Sequence, residues 1–293
     1  AVSDPRVLLL TGDHGYALFD AFRKTCPDQY INAGIAEQNM VGVAAGLAKA
    51  GFRPIVYGLS AFVPVRVLEQ IKIDVCYEQL PVVFIGDGAG LVYSTLGTSH
   101  QSFEDIACLR AVPHIDIMSP CDAAELTACM EAALAANGPV YLRMGKSDVG
   151  KVHDAVPVVE RGKLVQVRPG KSSVPFIATG SMVKTACLIA EETDAAVWSA
   201  PWIKPLDQAQ LVQVASGASA LVTFEEHSAS AGLGSAVMEA IGESGPVPVL
   251  RIGIGDRFSV TCGSHAHAMK EHGLDLETVR ARVAPFAGRW ARP

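Results

Sequence analysis

The feature that most limits what this chain can fold into is a regular alternation of short β-branched runs with longer stretches of helical pattern. Candidate strands are Val7–Leu10, Pro54–Tyr57, Val82–Ile85, Ile115–Met118 and Val140–Arg143, with candidate helices between them at Ala17–Lys24, Glu37–Ala50, Pro64–Glu78, Phe103–Arg110 and Asp122–Ala136. A strand, a crossover helix and a second strand bring the chain back parallel to itself, so repetition of this unit builds a parallel sheet under helices. Gly138 and Pro139 close the last of these helices.

Residues 145–173 change character: rich in Lys, Gly and Val and carrying Pro157 and Pro169, they read as a linker with a hairpin. From Val174 the alternation resumes, with strands expected near Val174–Thr179, Ala195–Trp198, Ala220–Phe224 and Val247–Arg251. The fold class expected is therefore α/β, with parallel-sheet domains at 1–150 and 173–293 joined by a linker at 151–172. A length of 293 residues suits two such domains.

Composition narrows the function. Charged residues make up 18% of the chain, below the usual share of about a quarter, and Ala and Gly supply much of the apolar 49%. Such a surface favours burial against other chains. The net charge of −6 and the lack of a basic stripe argue against a nucleic-acid binder. The best apolar run, Met40 to Ala48, lies between Glu37 and Lys49 and is far too short for a bilayer. The cysteines (Cys26, Cys76, Cys108, Cys121, Cys129, Cys187, Cys262) are odd in number and form no C-x-x-C pair, which reads as reduced thiols in a cytoplasmic protein.

The most informative stretch runs from Pro27 to Met40, through Asn32-Ala33-Gly34-Ile35-Ala36-Glu37-Gln38-Asn39. One carboxylate, Glu37, stands where a strand-like segment gives way to a helix rich in Gly42, Ala44, Ala45, Gly46 and Ala48. Small residues let another backbone approach, so Glu37 reads either as a buried carboxylate able to trade a proton with a basic nitrogen or as a first-turn Glu favoured by the helix dipole.

This segment resembles the G-I-A-E-Q-N/H motif of the transketolase and 1-deoxyxylulose-5-phosphate synthase family. Gly97-Thr98-Ser99-His100-Gln101 resembles that family's G-x-T-H-Q, and Ser119-Pro120-Cys121-Asp122 its later P-x-D segment. Ile203-Lys204-Pro205-Leu206-Asp207, Glu225-Glu226-His227 and Arg251-Ile252-Gly253 resemble its C-terminal domain. The resemblance implies a thiamine-diphosphate pyrimidine-binding fold followed by a transketolase C-terminal-like domain. It further implies that Glu37 hydrogen-bonds N1′ of the aminopyrimidine and sets its tautomer, that Phe62 stacks on that ring, and that Asp13 lies near the cofactor. His100 would stabilise the developing alkoxide of the substrate and shuttle protons, and Lys146 would bind substrate phosphate.

Leu96 stands where the family carries an Asp that contacts a sugar hydroxyl, and Gly88 where many relatives carry a phosphate-contacting His. These departures point to a non-standard aldehyde acceptor. Gly86-Asp87-Gly88 imitates the G-D-G that opens the family's diphosphate and Mg²⁺ site, but the window from Ala111 to Asp116 holds no Asn to complete it. No metal ligand is assigned to this chain, and His265, His267 and His272 lack a convincing metal-ligand spacing. The resemblance then implies a second chain bearing the diphosphate domain, an α2β2 heterotetramer, and a two-carbon ketol transfer between a ketose and an aldehyde. The alternatives are the beta subunit of a 2-oxo-acid dehydrogenase or decarboxylase, a 1-deoxyxylulose-5-phosphate-synthase-like enzyme, and a non-catalytic regulatory subunit that keeps the fold.

Overall fold

The computed structural model describes residues 1–15, 17–146 and 150–291. The strands, in chain order, are β1 Val7–Thr11, β2 Tyr30–Asn32, β3 Arg53–Leu59, β4 Val83–Asp87, β5 Asp116–Met118, β6 Val140–Met144, β7 Val165–Arg168, β8 Phe176–Ala178, β9 Val197–Ser199, β10 Trp202–Lys204, β11 Leu221–Ser228 and β12 Val249–Ile254. Among the described residues they form a seven-stranded sheet, ordered β10-β5-β6-β4-β3-β1-β2, and a five-stranded sheet, ordered β12-β11-β8-β9-β7. Pairing is parallel except for β10 on β5 and β7 on β9. All of β1 and nearly all of β4 and β6 are buried, as a parallel sheet covered on both faces requires. That is why these strands read as unbroken apolar runs.

The strands expected from the sequence all form, with β11 and β12 running further at their C-terminal ends than the apolar runs suggest. Other expectations need correction. The segment expected as one helix from Pro64 to Glu78 is a 3₁₀ turn at Val65–Val67, one α-turn at Leu68–Gln70 and a π-helix at Ile71–Cys76. The helix expected at Ala17–Lys24 is Asp20–Thr25. No hairpin lies within the described part of 145–173; β7 instead pairs with β9 as an edge strand. Trp202–Lys204, of which only Ile203 and Lys204 were read, as the start of a motif, is a strand that leaves the second half of the chain and extends the first sheet.

A buried polar network fastens the two sheets together. Arg143, at 3% exposure, donates from Nε to Asp105 (2.8 Å) and from Nη2 to the Glu226 carbonyl (2.9 Å). Tyr141 donates its hydroxyl to the same Asp105 carboxylate (2.7 Å). The Glu226 carboxylate accepts from the Leu91 N–H (2.7 Å) and from Ser181, with His265 Nε2 at 3.0 Å. Its neighbour Glu225 accepts the first N–H groups of the helix Leu233–Ile241, from Leu233 (2.7 Å) and Gly234 (2.9 Å). A Cβ at Gly90 or Gly232 would collide with these carboxylates.

Burial pushes the Glu225 carboxyl up to about 7, against the pull of its two backbone donors. Burial also holds the His227 imidazole down, to about 4. The pH dependences oppose one another. Glu225 contributes stability that is full below the ordinary carboxylate range and declines as pH rises from there to about 7. His227 costs stability as pH falls below the range where an exposed imidazole titrates. His227→Leu removes only the second effect. Its stability deficit relative to the wild-type chain is expected to narrow by about 2 kcal/mol between pH 7 and about pH 4.5. Denaturant midpoints at several pH values check this, and a deficit constant with pH refutes it.

Candidate active site

In parallel α/β sheets ligands gather beyond the carboxyl ends of the strands, and the residues singled out by sequence lie there. Asp13 follows β1, Phe62 follows β3, Gly88 follows β4 and Lys146 follows β6. The loops after β1 and β2 run side by side: a Cβ on Gly12 would stand 3.3 Å from the Gly34 carbonyl. Asn32 ties them by donating to Asp13 Oδ1 (3.1 Å) and accepting from the Gly34 N–H (2.9 Å). Gly34 has φ +70, a conformation suited to glycine. That turn delivers Glu37 as the first residue of the helix Glu37–Lys49.

Glu37 is 6% exposed, and its Oε1 accepts from Arg66 Nη1 at 3.1 Å. The guanidinium of Arg66 also lies over the Phe62 ring, 4.0 Å from its centroid. His100 approaches the same ring, with centroids 5.4 Å apart and planes at 66°, and its Nδ1 is 3.0 Å from Ser99 Oγ. Glu37, Phe62 and His100 are therefore gathered, with Arg66 as the piece that links two of them. Sequence reading missed Arg66, because a lone Arg in a segment of helical pattern reads as a solvated charge. Asp13 is tied through Asn32 to the turn at Gly34 that precedes Glu37. Lys146 lies apart, on a small cavity of about 110 Å³ lined also by Cys121, Asp122, Met144, Gly145 and Ser181.

Asp87 does not serve as an open G-D-G ligand: its Oδ2 accepts from the hydroxyls of Tyr57 (2.8 Å) and Tyr93 (2.9 Å). Gly86 packs against Tyr141 and Gly88 against Tyr93. His265, His267 and His272 each have a separate partner, Glu226, Thr261 and Ser259 respectively. Among the described residues Cys121, Asp122 and His153 bring ligand atoms within 4.8 Å of one another. The Asp122 carboxylate already accepts from the N–H groups of Glu125, Val152 and His153, so it caps the helix Ala123–Ala135 and anchors the segment after β6. A cavity of about 560 Å³ opens beside Asp116, Gly138, Pro139 and Trp202. That is the opposite end of the sheet.

Fold and site together define an α/β enzyme segment that holds a buried carboxylate, an aromatic face and an imidazole at one sheet edge. Residues 1–151 match the family model for the transketolase pyrimidine-binding domain, and residues 162–279 that for the transketolase C-terminal domain. The chain belongs to the transketolase family, whose members are thiamine-diphosphate enzymes, and is a transketolase-like transferase as one subunit of a split enzyme. It is 35% identical to the 6-deoxy-6-sulfo-D-fructose transketolase subunit SqwH of Clostridium sp. (strain MSTE9), across 96% of this chain and 89% of that protein. It is 33% identical to a subunit of the apulose-4-phosphate transketolase of Phocaeicola vulgatus, across 98% and 93%. Against the 1-deoxy-D-xylulose-5-phosphate synthase of Oleidesulfovibrio alaskensis it is 36% identical but spans only 46% of that protein. The solved structure of a split gene transketolase, an inactive beta4 tetramer, superposes with a TM-score of 0.87 at 34% identity, covering 99% of this chain and 94% of that one.

Proposed function

We propose that this chain forms the aminopyrimidine side of a thiamine-diphosphate site and works with a second chain that holds the diphosphate and Mg²⁺, in a cytoplasmic α2β2 assembly. Residues 1–150 would make the pyrimidine-binding domain and 173–293 the C-terminal domain, with 151–172 between them. The observation that carries the reading is the double contact of Arg66. One flat, nitrogen-bearing group donates to Glu37 while lying on Phe62, and an aminopyrimidine needs those same two contacts together.

When bound, thiamine diphosphate supplies a nucleophilic carbon able to carry a two-carbon ketol unit. The residues of this chain do the rest. Glu37, buried at a helix start, would hold the aminopyrimidine and supply the carboxyl that gives and takes its proton. Phe62 would offer its face to that ring, and Asp13, held by Asn32, braces the loop after β1. His100, a loop imidazole against Phe62, is placed to donate to oxygen and move protons at the substrate carbonyl. Lys146 offers a point charge toward an anionic group on the β6 side.

Leu96 is 54% exposed at the turn before His100 and cannot accept a hydrogen bond from a sugar hydroxyl. A hydroxyl buried against Leu96 in the assembled enzyme would be left unpaired at a cost of about 1–3 kcal/mol, so the acceptor differs from ribose 5-phosphate near the reacting carbonyl. The donor is a ketose yielding a two-carbon unit. Isothermal titration should find weak binding of thiamine diphosphate to this chain alone and Mg²⁺-dependent binding once the partner chain is added. In the assembled enzyme, a 2-deoxy or non-sugar aldehyde should outcompete ribose 5-phosphate by about ten-fold or more. Tight binding to the isolated chain contradicts the divided site, and a clear preference for ribose 5-phosphate contradicts the acceptor assignment.

A further inference from the structure

The loop after β4 carries chemistry that the mechanism above leaves unused. Asp87 sits between the Phe62 and Lys146 sides of the edge: its carbonyl accepts from the Ser60 N–H (2.8 Å), and two residues on, the Ala89 N–H donates to the Met144 carbonyl (2.9 Å). Its Oδ2 takes both phenols, Tyr57 at 2.8 Å and Tyr93 at 2.9 Å, and among the described residues its Oδ1 takes no hydrogen bond. Burial, then the charge of Asp87, keeps both phenols protonated, with Tyr93 pushed up to about 12 and Tyr57 beyond the usual range. The Tyr93 ring lies on Gly88, where a Cβ would stand 1.9 Å from its Cε2. Gly88 is bare because the ring occupies the space a side chain would need.

An anion brought to this place would meet the Asp87 carboxylate oxygens, with both phenol hydroxyls already committed to Oδ2. A hydroxyl can donate to the free carboxylate oxygen and accept little else, which suits a sugar carbon bearing no charge. We propose that Tyr93 and Asp87 are the specificity-determining pair of the substrate site, selecting an uncharged, hydroxylated part of the sugar over the end of β4 and excluding phosphate there. Any anionic group is left to the β6 side, where Lys146 lies. The inference rests on reading this edge as a ketol-transfer site, but its first test needs no turnover.

Inorganic phosphate is titrated into the purified chain by calorimetry near pH 6, where an imidazole is largely protonated. Gly88→His with Tyr93→Ala clears the ring and supplies a cation, and His tolerates the left-handed backbone of Gly88 (φ +70) better than most residues. That double variant is expected to bind phosphate about ten-fold more tightly than the wild-type chain, the worth of one charge-assisted contact. Tyr93→Ala alone should gain little, since Asp87 remains. In the assembled enzyme the double variant should raise the ratio of kcat/KM for D-glyceraldehyde 3-phosphate over D-glyceraldehyde by a similar factor, about ten-fold. Equal phosphate affinity in wild type and double variant, or an unmoved ratio, overturns the proposal. Should the assembled enzyme turn over neither aldehyde, the ketol-transfer reading fails while the phosphate titration still decides this one.

Discussion

Glu37→Gln in the assembled enzyme is expected to lose turnover by a factor of about 10²–10⁴ while the chain keeps its fold. The amide keeps the size of the side chain and can still meet Arg66, whose guanidinium stands 3.1 Å from the carboxylate. What it cannot do is give up and retake a proton. The structural cost should be small, because among the described residues the Glu37 carboxylate accepts one hydrogen bond, from a side chain that is 46% exposed. Its interaction with the helix start is worth about 0.3–1 kcal/mol. Steady-state rates with saturating cofactor, alongside circular dichroism and a melting curve, separate the two effects. A variant that turns over like wild type would show that proton exchange occurs elsewhere and remove Glu37 from the mechanism.

Arg143→Met is expected to have an effect of similar size on stability. Asp105 is wholly buried, and Arg143 is its counter-charge at 2.8 Å. Its remaining donor, the Tyr141 hydroxyl, is kept protonated by burial, and among the described residues its Oδ1 has no hydrogen-bond partner. Removing one member of a buried pair costs about 3–5 kcal/mol because the other charge is stranded. The Glu226 carbonyl would lose its donor as well, loosening the join between the sheets. Adding Asp105→Asn should recover part of the loss, giving a double-variant cost well below the sum of the singles. Denaturant unfolding measures all three. Additive losses would mean that the pair acts separately.

These two residues mark what was legible in the sequence and what was not. Glu37 and its helix could be read directly, because the strand-to-helix switch and the run of small residues are local signals. The buried strands that were expected were equally plain, since strands covered on both faces have to be continuous apolar runs, whereas the short β2, β7 and β10 were not among the expected strands. Arg143 was read as the end of a strand and nothing more. Its partners Asp105 and Glu226 are remote in sequence, and no local pattern tells a buried Arg from an exposed one. Glu225 and Glu226 were visible as a motif. That two adjacent acids on one strand are both buried follows only from donors such as Leu91, Ser181 and the start of the Leu233 helix. Tyr93 was silent for the same reason, as its meaning depends on the bare Gly88 beneath it. The π-helix at Ile71–Cys76 reads in sequence as ordinary helix, because one extra residue in a turn leaves the apolar spacing almost unchanged.

The short strand β10 has a consequence for how the chain can be divided. It crosses from the second half and closes the outer edge of β5 in antiparallel pairing. Lys204, just before a proline, donates to the carbonyls of Arg110 and Val112. The second half thus acts as a clasp on the first. A fragment cut between the sheets would carry the unpaired N–H and C=O groups of β5 into solvent, a template for any other extended chain. The linker is a seam in the sequence, but the hydrogen bonding runs straight across it.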